Sequence, residues 1–275
     1  MSASRRLRAS SNVPLGTQPP MSFAIRQIPT VVFLLACCQC GHGAEEDVVV
    51  FYAMGDVPYS AEEDRLLPQQ IAELPDDGLF VVHVWDIKNG SSPCDAATYQ
   101  KVAGMLGQSR LPTFVIPGDN EWNDCADPDT ARDLWEENFS FVHRGVLFIG
   151  INLVGSKIHD AEEWQQRLAQ NVAWTRSNFS QFGSRVHAVV IFGHANPTPS
   201  HDAYINPLCE LAGELGKPIL YLHGDGHRWV QDRPFAAENI LRVQVDQGGI
   251  APPVKVTVTR NPDETFRFDR RLSSE

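Results

Sequence analysis

Two stretches of the sequence decide the expected fold: residues 79–86, LFVVHVWD, and residues 113–121, TFVIPGDNE. In each, an apolar run of strand length leads into acidic or amide side chains. Comparable apolar runs, each followed by glycine and then aspartate or histidine, occupy 48–56, 188–194 and 219–227. Because stretches with helical spacing separate most of these runs, the pattern predicts an α/β fold.

The remaining elements suggest one domain over residues 45–275. Residues 241–245, 254–259 and 266–270 alternate apolar and polar side chains, which is typical of antiparallel strands with one solvated face. Residues 60–63, Ser-Ala-Glu-Glu, form a capping box that starts the first helix. Helices are predicted over residues 60–74, 95–106, 130–138, 161–179 and 204–215.

Composition excludes several classes of function. The chain has 275 residues and a net charge of −11, so without a basic stripe we expect no nucleic-acid partner. Hydrophobic residues make up 43% of it, enough for a sizeable core. It lacks the Gly-x-Ser-x-Gly elbow, the His-Glu-x-x-His helix and the phosphate-binding P-loop, which argues against serine hydrolases, metalloproteases and nucleotide switches.

The first 44 residues have the features of an export signal. Arg26 precedes the apolar run at 28–36, which is too short to span a bilayer but fits a signal-peptide core. Cleavage before Cys37 would leave a lipid-anchored protein, and cleavage before Ala44 a periplasmic or secreted one. The alternative is that the run forms a buried segment of the fold. We expect export.

Cysteine placement agrees with export. Cys94 and Cys125 lie in polar loops, and in an oxidising compartment a disulfide between them would brace both loops. Two unrelated free thiols are the alternative. Cys209 lies in an apolar helical stretch and is expected to be a small core residue.

The polar residues at the strand ends are candidates for a metal site. In open α/β sheets, ligands bind at the carboxyl ends of the strands, so these residues should converge on one rim. Aspartate, asparagine and histidine suit Mn, Fe, Zn or Mg ions. The residues that follow the five apolar runs are Gly55-Asp56, Asp86, Gly118-Asp119-Asn120-Glu121, Gly193-His194 and Gly224-Asp225-Gly226-His227.

This order of elements resembles the calcineurin-like metallophosphoesterases, which include the purple acid phosphatases. The resemblance covers roughly residues 48–245 and follows the family order Asp-x-His, Gly-Asp, Gly-Asn-His-Glu/Asp, Gly-His and Gly-His-x-His. It implies an α/β fold in which two mixed β-sheets pack as a sandwich flanked by helices. It also implies a hydrolase of phosphate mono- or diesters, with a small-molecule phosphoester as substrate.

The resemblance further implies two divalent metal ions of unknown identity. Asp86 would bridge them; Asp56 and His227 would complete one site, and Asp119, His194 and Asp225 the other. The implied reaction is in-line attack on phosphorus by a hydroxide held between the two metals.

The sequence departs from the family at several positions. Pro58 replaces a ligand histidine, with Tyr59 as a substitute donor, and Trp85 replaces a glycine. Asn120 stands where the family has a histidine that assists the leaving group, and Asp225 replaces another ligand histidine. The candidate catalytic residues are Asn120, Glu121 and His201, the last as a replacement proton donor.

Two rival functions remain open. Pro58, Trp85 and Asn120 suit a degenerate metallophosphoesterase fold that binds a ligand or partner without catalysis. A hydrolase of some other metal-dependent type is the second rival.

Overall fold

The computed structural model describes residues 48–84, 86–127, 138–155 and 157–272, which form two stacked β-sheets with helices on both outer surfaces. This confirms the predicted fold class. The predicted leader, Trp85 and, except for Asn138, the helix predicted over 130–138 lie outside the described residues.

The first sheet positions three of the predicted strand ends side by side. Its strands are β1 (Val49–Met54), β2 (Val81–His83), β3 (Thr113–Val115), β10 (Val254–Val258) and β11 (Phe266–Asp269). Their order is β11-β10-β1-β2-β3. β1, β2 and β3 are parallel, and β10 pairs antiparallel with β1 and β11. The loops after β1, β2 and β3 therefore emerge at the same edge.

The second sheet supplies the other two strand ends. Its strands are β4 (Phe139–His143), β5 (Val146–Gly150), β6 (Ala188–Phe192), β7 (Ile219–His223), β8 (Val230–Asp232) and β9 (Ile240–Gln244). Their order is β4-β5-β6-β7-β9-β8. β5, β6, β7 and β9 are parallel, and the two outer strands pair antiparallel with their neighbours.

Phenylalanines fill the space between the two sheets. The ring of Phe51 on β1 meets Phe148 on β5 and Phe192 on β6 edge to face, at centroid separations of 5.6 and 5.7 Å. Such pairs add roughly 0.5–1.5 kcal/mol beyond the area that they bury. This packing holds the two sheets in one relative position, and with them the loops that each sheet contributes to the rim.

Four helices complete the outer layers. The first sheet is covered by α1 (Ala61–Ala72) and α2 (Ala96–Leu106), and the second by α3 (Ala161–Phe182) and α4 (Asp202–Leu215). On β1, Phe51 and Ala53 face the other sheet, while Tyr52 and Met54 face the helices. Burial on both faces explains why this strand reads as an uninterrupted apolar run.

The start of α1 fixes a residue of the rim. The Ser60 hydroxyl accepts a hydrogen bond from the Glu63 amide at 3.2 Å, as the capping box predicts. The Glu63 carboxylate, however, accepts from the amide of Tyr59 rather than that of Ser60. It also accepts from Gln247 at 3.2 Å. Tyr59 is thereby held immediately before the helix.

The structure corrects part of the predicted strand pattern. Residues 241–245 were expected to pair antiparallel, but β9 pairs parallel with β7 and antiparallel only with β8. The polar side chain of Arg242 does not mark a wet face, because it binds Asp232 at 2.5 Å and Asn196 at 2.7 Å. Strands β4 and β8 were not predicted.

Candidate metal centre

The strand-end residues from both sheets converge on one rim, as predicted. The loops after β1, β2 and β3 come from the first sheet, and those after β6 and β7 from the second. The side chains brought within contact of one another are Asp56, Tyr59, Asp86, Asp119, Asn120, His194 and His227, and the backbone amide of Asp225 joins them.

The tightest cluster consists of Asp86, Asp119 and His194. One donor atom from each lies within 4.8 Å of the others. The His194 Nε2 atom is 2.6 Å from Asp119 Oδ1 and 3.8 Å from Asp86 Oδ1. Two carboxylates and an imidazole at a sheet edge, with Asp86 and His194 buried and Asp119 partly buried, form a donor set that can hold a divalent metal ion.

A second, looser group lies on the other side of Asp86. The Tyr59 hydroxyl donates to Asp86 Oδ2 at 2.9 Å and is 3.4 Å from Asp56 Oδ1. His227 Nε2 is 3.8 Å from the same Asp56 oxygen. Asp86 therefore lies between the pair Asp119–His194 and the group Asp56, Tyr59 and His227.

The backbone of Asp225 lies against this second group. Its backbone amide donates to Asp56 Oδ1 at 3.3 Å, and its Oδ2 atom accepts from the Asn196 amide at 2.9 Å. One of its carboxylate oxygens is thus held by the backbone of the loop after β6. Asp225 couples the two loops of the second sheet to Asp56.

Electrostatics favour a cation at this rim. Burial, together with the nearby charge of Asp86, raises the pKa of Asp56 to about 7. Burial and the charge of Asp119 raise the pKa of Asp86 to about 6. Burial disfavours protonation of His194, but Asp86, Asp119 and Asp56 outweigh it and raise its pKa to about 10. Without a cation, the centre therefore retains protons on groups that would otherwise be unprotonated.

An unsatisfied oxygen supports the fit of a metal ion. The Asp56 carboxylate is fully buried, and its Oδ2 atom has no hydrogen-bond partner. Such an atom costs roughly 1–3 kcal/mol or more when it carries charge. The donor set and this oxygen together match what a hard or borderline cation needs.

The backbone of the rim is unusual at four of the donor residues. Asp56, Asp86, Asp225 and His227 have φ angles of 56°, 50°, 70° and 56°. Non-glycine residues in this left-handed region are uncommon and cluster at functional sites. Close approach adds a further constraint at Gly118, where a Cβ atom would lie 2.1 Å from Asp86 Oδ1.

Asn120 holds Asp86 in place. Its backbone amide donates to Asp86 Oδ1 at 3.2 Å, and its side-chain amide donates to Asp86 Oδ2 at 2.8 Å and to the Lys88 carbonyl at 2.9 Å. With its side-chain N–H groups engaged in this way, Asn120 is placed to position Asp86 rather than to assist a leaving group.

The side chain of Glu121 is also turned away from solvent. Its carboxylate is fully buried, Oε2 accepts from the Gly118 amide at 3.0 Å, and burial raises its pKa well above the ordinary value. This geometry suits a residue that shapes the loop after β3.

His201 does not fit the expected role of proton donor. The ring is 2% exposed, with Nε2 2.9 Å from the Val154 carbonyl oxygen and Nδ1 accepting from the Thr198 amide at 3.1 Å. Trp164 from α3 packs against it at a centroid separation of 5.5 Å. Because both ring nitrogens bind the backbone, His201 serves the packing of its loop.

The predicted disulfide between Cys94 and Cys125 is present, with a Cα–Cα distance of 5.8 Å. It links the loop after β2 to the loop after β3, and both sulfurs lie against the Asn120 carbonyl oxygen at 3.7 and 3.6 Å. The bond favours an oxidising compartment. Cys209 is a partly buried free thiol that packs against the outer core of the second sheet.

Lys88 is the residue of this region that sequence reasoning missed. It follows Asp86 by two positions in a stretch, Asp-Ile-Lys-Asn-Gly, that resembles an ordinary surface turn. In the structure it is 2% exposed, and burial lowers the pKa of its ammonium group. Its proximity in sequence to Asp86 was the one available signal.

No helix within the described ranges is long and apolar enough to cross a membrane.

Comparison with known proteins gives information on the fold. No protein-family model matches the sequence, and no curated protein matches it. A 5'-nucleotidase from Candida albicans SC5314 is similar in structure, with a TM-score of 0.50, 10% identity, and coverage of 80% of this chain and 51% of that one. GAP50, the anchor in the inner membrane complex of Plasmodium, matches with a TM-score of 0.49, 11% identity, and coverage of 83% and 90%. The architecture and the 5'-nucleotidase match together indicate that this chain has an α/β sandwich fold of the metallophosphoesterase kind.

Proposed function

We propose that this protein is a metal-dependent hydrolase of phosphate mono- or diesters. The observation that carries the proposal is the position of Asp86, a buried carboxylate with Asp119 and His194 on one side and Asp56 on the other. A carboxylate between two donor groups is suited to contact two cations. The fold alone does not specify a reaction, so the proposal depends on these residues.

The chain's residues divide into two sets around Asp86. Asp119, His194 and Asp225 would hold one ion, and Asp56 and His227 would hold the other; the Asp225 carboxylate already accepts from the Asn196 amide. Divalent ions held there would polarise the phosphoryl group and neutralise its developing charge. Asn120 keeps Asp86 oriented through its hydrogen bonds.

The surroundings of the centre limit the substrates that it can process. Neither Asn120 nor His201 is placed to give a proton to a departing alkoxide. A positioned general acid typically contributes about 10²–10⁴-fold, so a centre in which neither of these two residues acts as the acid favours esters with good leaving groups. We therefore propose aryl phosphates, or other esters of acidic alcohols, as the better substrates.

We further propose that the protein acts after export. The Cys94–Cys125 disulfide supports an oxidising compartment. Residues 1–44 would serve as the leader, with Cys37 as the acceptor if a lipid anchor is added.

A second candidate function is binding without catalysis. It is favoured by Pro58, which provides no side-chain donor at a ligand position of the family, and by the engagement of Asn120 with Asp86. Such a protein would bind a ligand or a partner without turning over phosphate esters.

Metal content and turnover distinguish the two candidates. Protein purified without chelator should contain about two transition-metal ions per chain and should hydrolyse aryl phosphates. Asp86→Asn, purified in parallel, provides the matched control for background activity. Bound ions without turnover of any ester would favour the binding function. Absence of ions after supplementation with Mn²⁺ would rule out the hydrolase and likewise favour the binding function.

A further inference from the structure

The metal centre brings together several carboxyl groups. Asp56, Asp86, Asp119 and Asp225 lie at the rim, and the buried Glu121 binds the Gly118 amide beside Asp119. Each additional carboxylate strengthens the binding of divalent cations and repels an anionic substrate. In a centre that hydrolyses phosphate esters, the bound cations offset this repulsion, and any other positive charge nearby adds to their effect.

Lys88 is placed to provide the offsetting charge. In the described part of the chain, the buried lysine and arginine side chains are those of Lys88 and Arg167. Arg167 is occupied elsewhere: it pairs with Glu163 at 2.6 Å and stacks on Trp122, with its guanidinium carbon 4.5 Å from the ring centroid.

The Lys88 ammonium forms no ion pair with a described carboxylate. Its hydrogen bond, to the Asn89 carbonyl oxygen, is 3.5 Å long. Burial lowers the pKa of this ammonium group, and the nearby negative charge of Glu121, Asp86, Asp124 and Asp119 partly offsets that lowering. A buried charge that is shared among several carboxylates acts on the whole cluster.

The Lys88 backbone is fixed relative to the centre. Its carbonyl oxygen accepts from the same Asn120 side-chain amide that binds Asp86. Lys88 also lines an open cleft of about 200 Å³, together with Tyr59, whose hydroxyl binds Asp86. Lys88 therefore borders both the acidic cluster and a space next to it.

We propose that Lys88 is the internal counter-charge of this centre, which lowers its affinity for divalent cations and raises its affinity for a phosphoryl group. The inference rests on the proposed function. It assigns a positioning role to Lys88, whose positive charge would act through the electrostatic potential at the centre.

The test relies on two effects of opposite sign: removal of the Lys88 charge should strengthen Mn²⁺ binding and weaken phosphate binding. In Lys88→Met, the affinity for Mn²⁺, measured by calorimetry on chelator-treated protein, should increase on the order of tenfold. The affinity of Mn²⁺-saturated protein for inorganic phosphate should decrease by a similar factor. Lys88→Arg should restore both values towards those of the native protein, because it retains the charge.

Control variants separate this role from simple damage to the fold. Lys101→Met removes a lysine that lines the same cleft but is paired with Asp64 at 2.5 Å on the surface, and it should change neither affinity by more than about twofold. Lys88→Gln provides a second neutral side chain if Lys88→Met folds poorly by circular dichroism.

Two results would overturn the inference. Loss of affinity for both Mn²⁺ and phosphate in the neutral variants would mean that Lys88 merely supports the loop, and unchanged affinities would mean that its charge does not reach the centre. Native protein that binds no Mn²⁺ would instead refute the proposed function, and the inference with it.

Discussion

Replacing Asp56 with asparagine should stabilise the metal-free protein at high pH. The folded-state pKa of this carboxyl is about 7, against an ordinary value of 3.8. A raised pKa means that the folded state favours the protonated form. The free energy of unfolding therefore falls as pH rises from about 4 through 7, by about 1.4 kcal/mol per unit. Over the whole interval the ionisation of Asp56 costs about 4 kcal/mol.

Asparagine removes that pH dependence while keeping much of the geometry. Its oxygen can still accept from the Asp225 amide, 3.3 Å from Asp56 Oδ1. Its NH₂ group replaces Oδ2, which has no partner, and an unpaired buried group costs roughly 1–3 kcal/mol at every pH. The difference in stability between Asp56→Asn and the native protein should thus shift by about 4 kcal/mol between pH 4 and pH 8, in favour of the variant at high pH.

Urea unfolding in the presence of EDTA at pH 4, 6 and 8 measures this shift. Asp263→Asn, which alters an exposed aspartate, is the matched control and should show no comparable pH dependence. Saturating Mn²⁺ should reverse the order, because binding to the folded state stabilises the native protein more than the variant. A stability difference that does not change with pH would refute the electrostatic reasoning.

Three further predictions address the same centre. Asp86→Asn should abolish metal retention and activity, because an amide cannot neutralise and bridge two cations; a Mn²⁺ titration showing two sites of unchanged affinity would contradict this. Replacing Cys94 and Cys125 with serine should lower the free energy of unfolding by about 2–5 kcal/mol, whereas Cys209→Ser should have a smaller effect, as chemical denaturation would show. Loss of the disulfide should also weaken Mn²⁺ binding, since Asn120 lies against the disulfide. Unchanged binding would show that the disulfide and the metal centre are independent. Rates across aryl and alkyl phosphates should fall steeply as the leaving group becomes more basic; a flat series would reveal a proton donor.

Much of the centre could be predicted because its residues carry a local signal. Asp56 and His194, for example, each follow an apolar run and a glycine, and the carboxyl ends of parallel strands necessarily meet at a rim. The disulfide was predictable for the same reason, since Cys94 and Cys125 lie just beyond two of these strand ends.

The features that were missed depend on contacts distant in sequence. His201 was predicted to donate a proton, but Trp164 from another helix packs against it and its ring nitrogens bind the backbone. Lys88 lies in a turn-like stretch but is buried, and its carbonyl oxygen accepts from Asn120 of the loop after β3. The short strand β8 has little apolar character and forms through its pairing with β9. No local pattern reports such contacts.

The left-handed backbone at the rim also bears on how this fold could lose its function. An L-residue in that conformation costs about 1–2 kcal/mol, which glycine would recover and asparagine would reduce. A descendant with no further need for cations would therefore gain stability by acquiring glycine or asparagine at positions 56, 86, 225 and 227. This chain has three aspartates and a histidine there. A relative that has lost cation binding should therefore show substitutions first at these four positions.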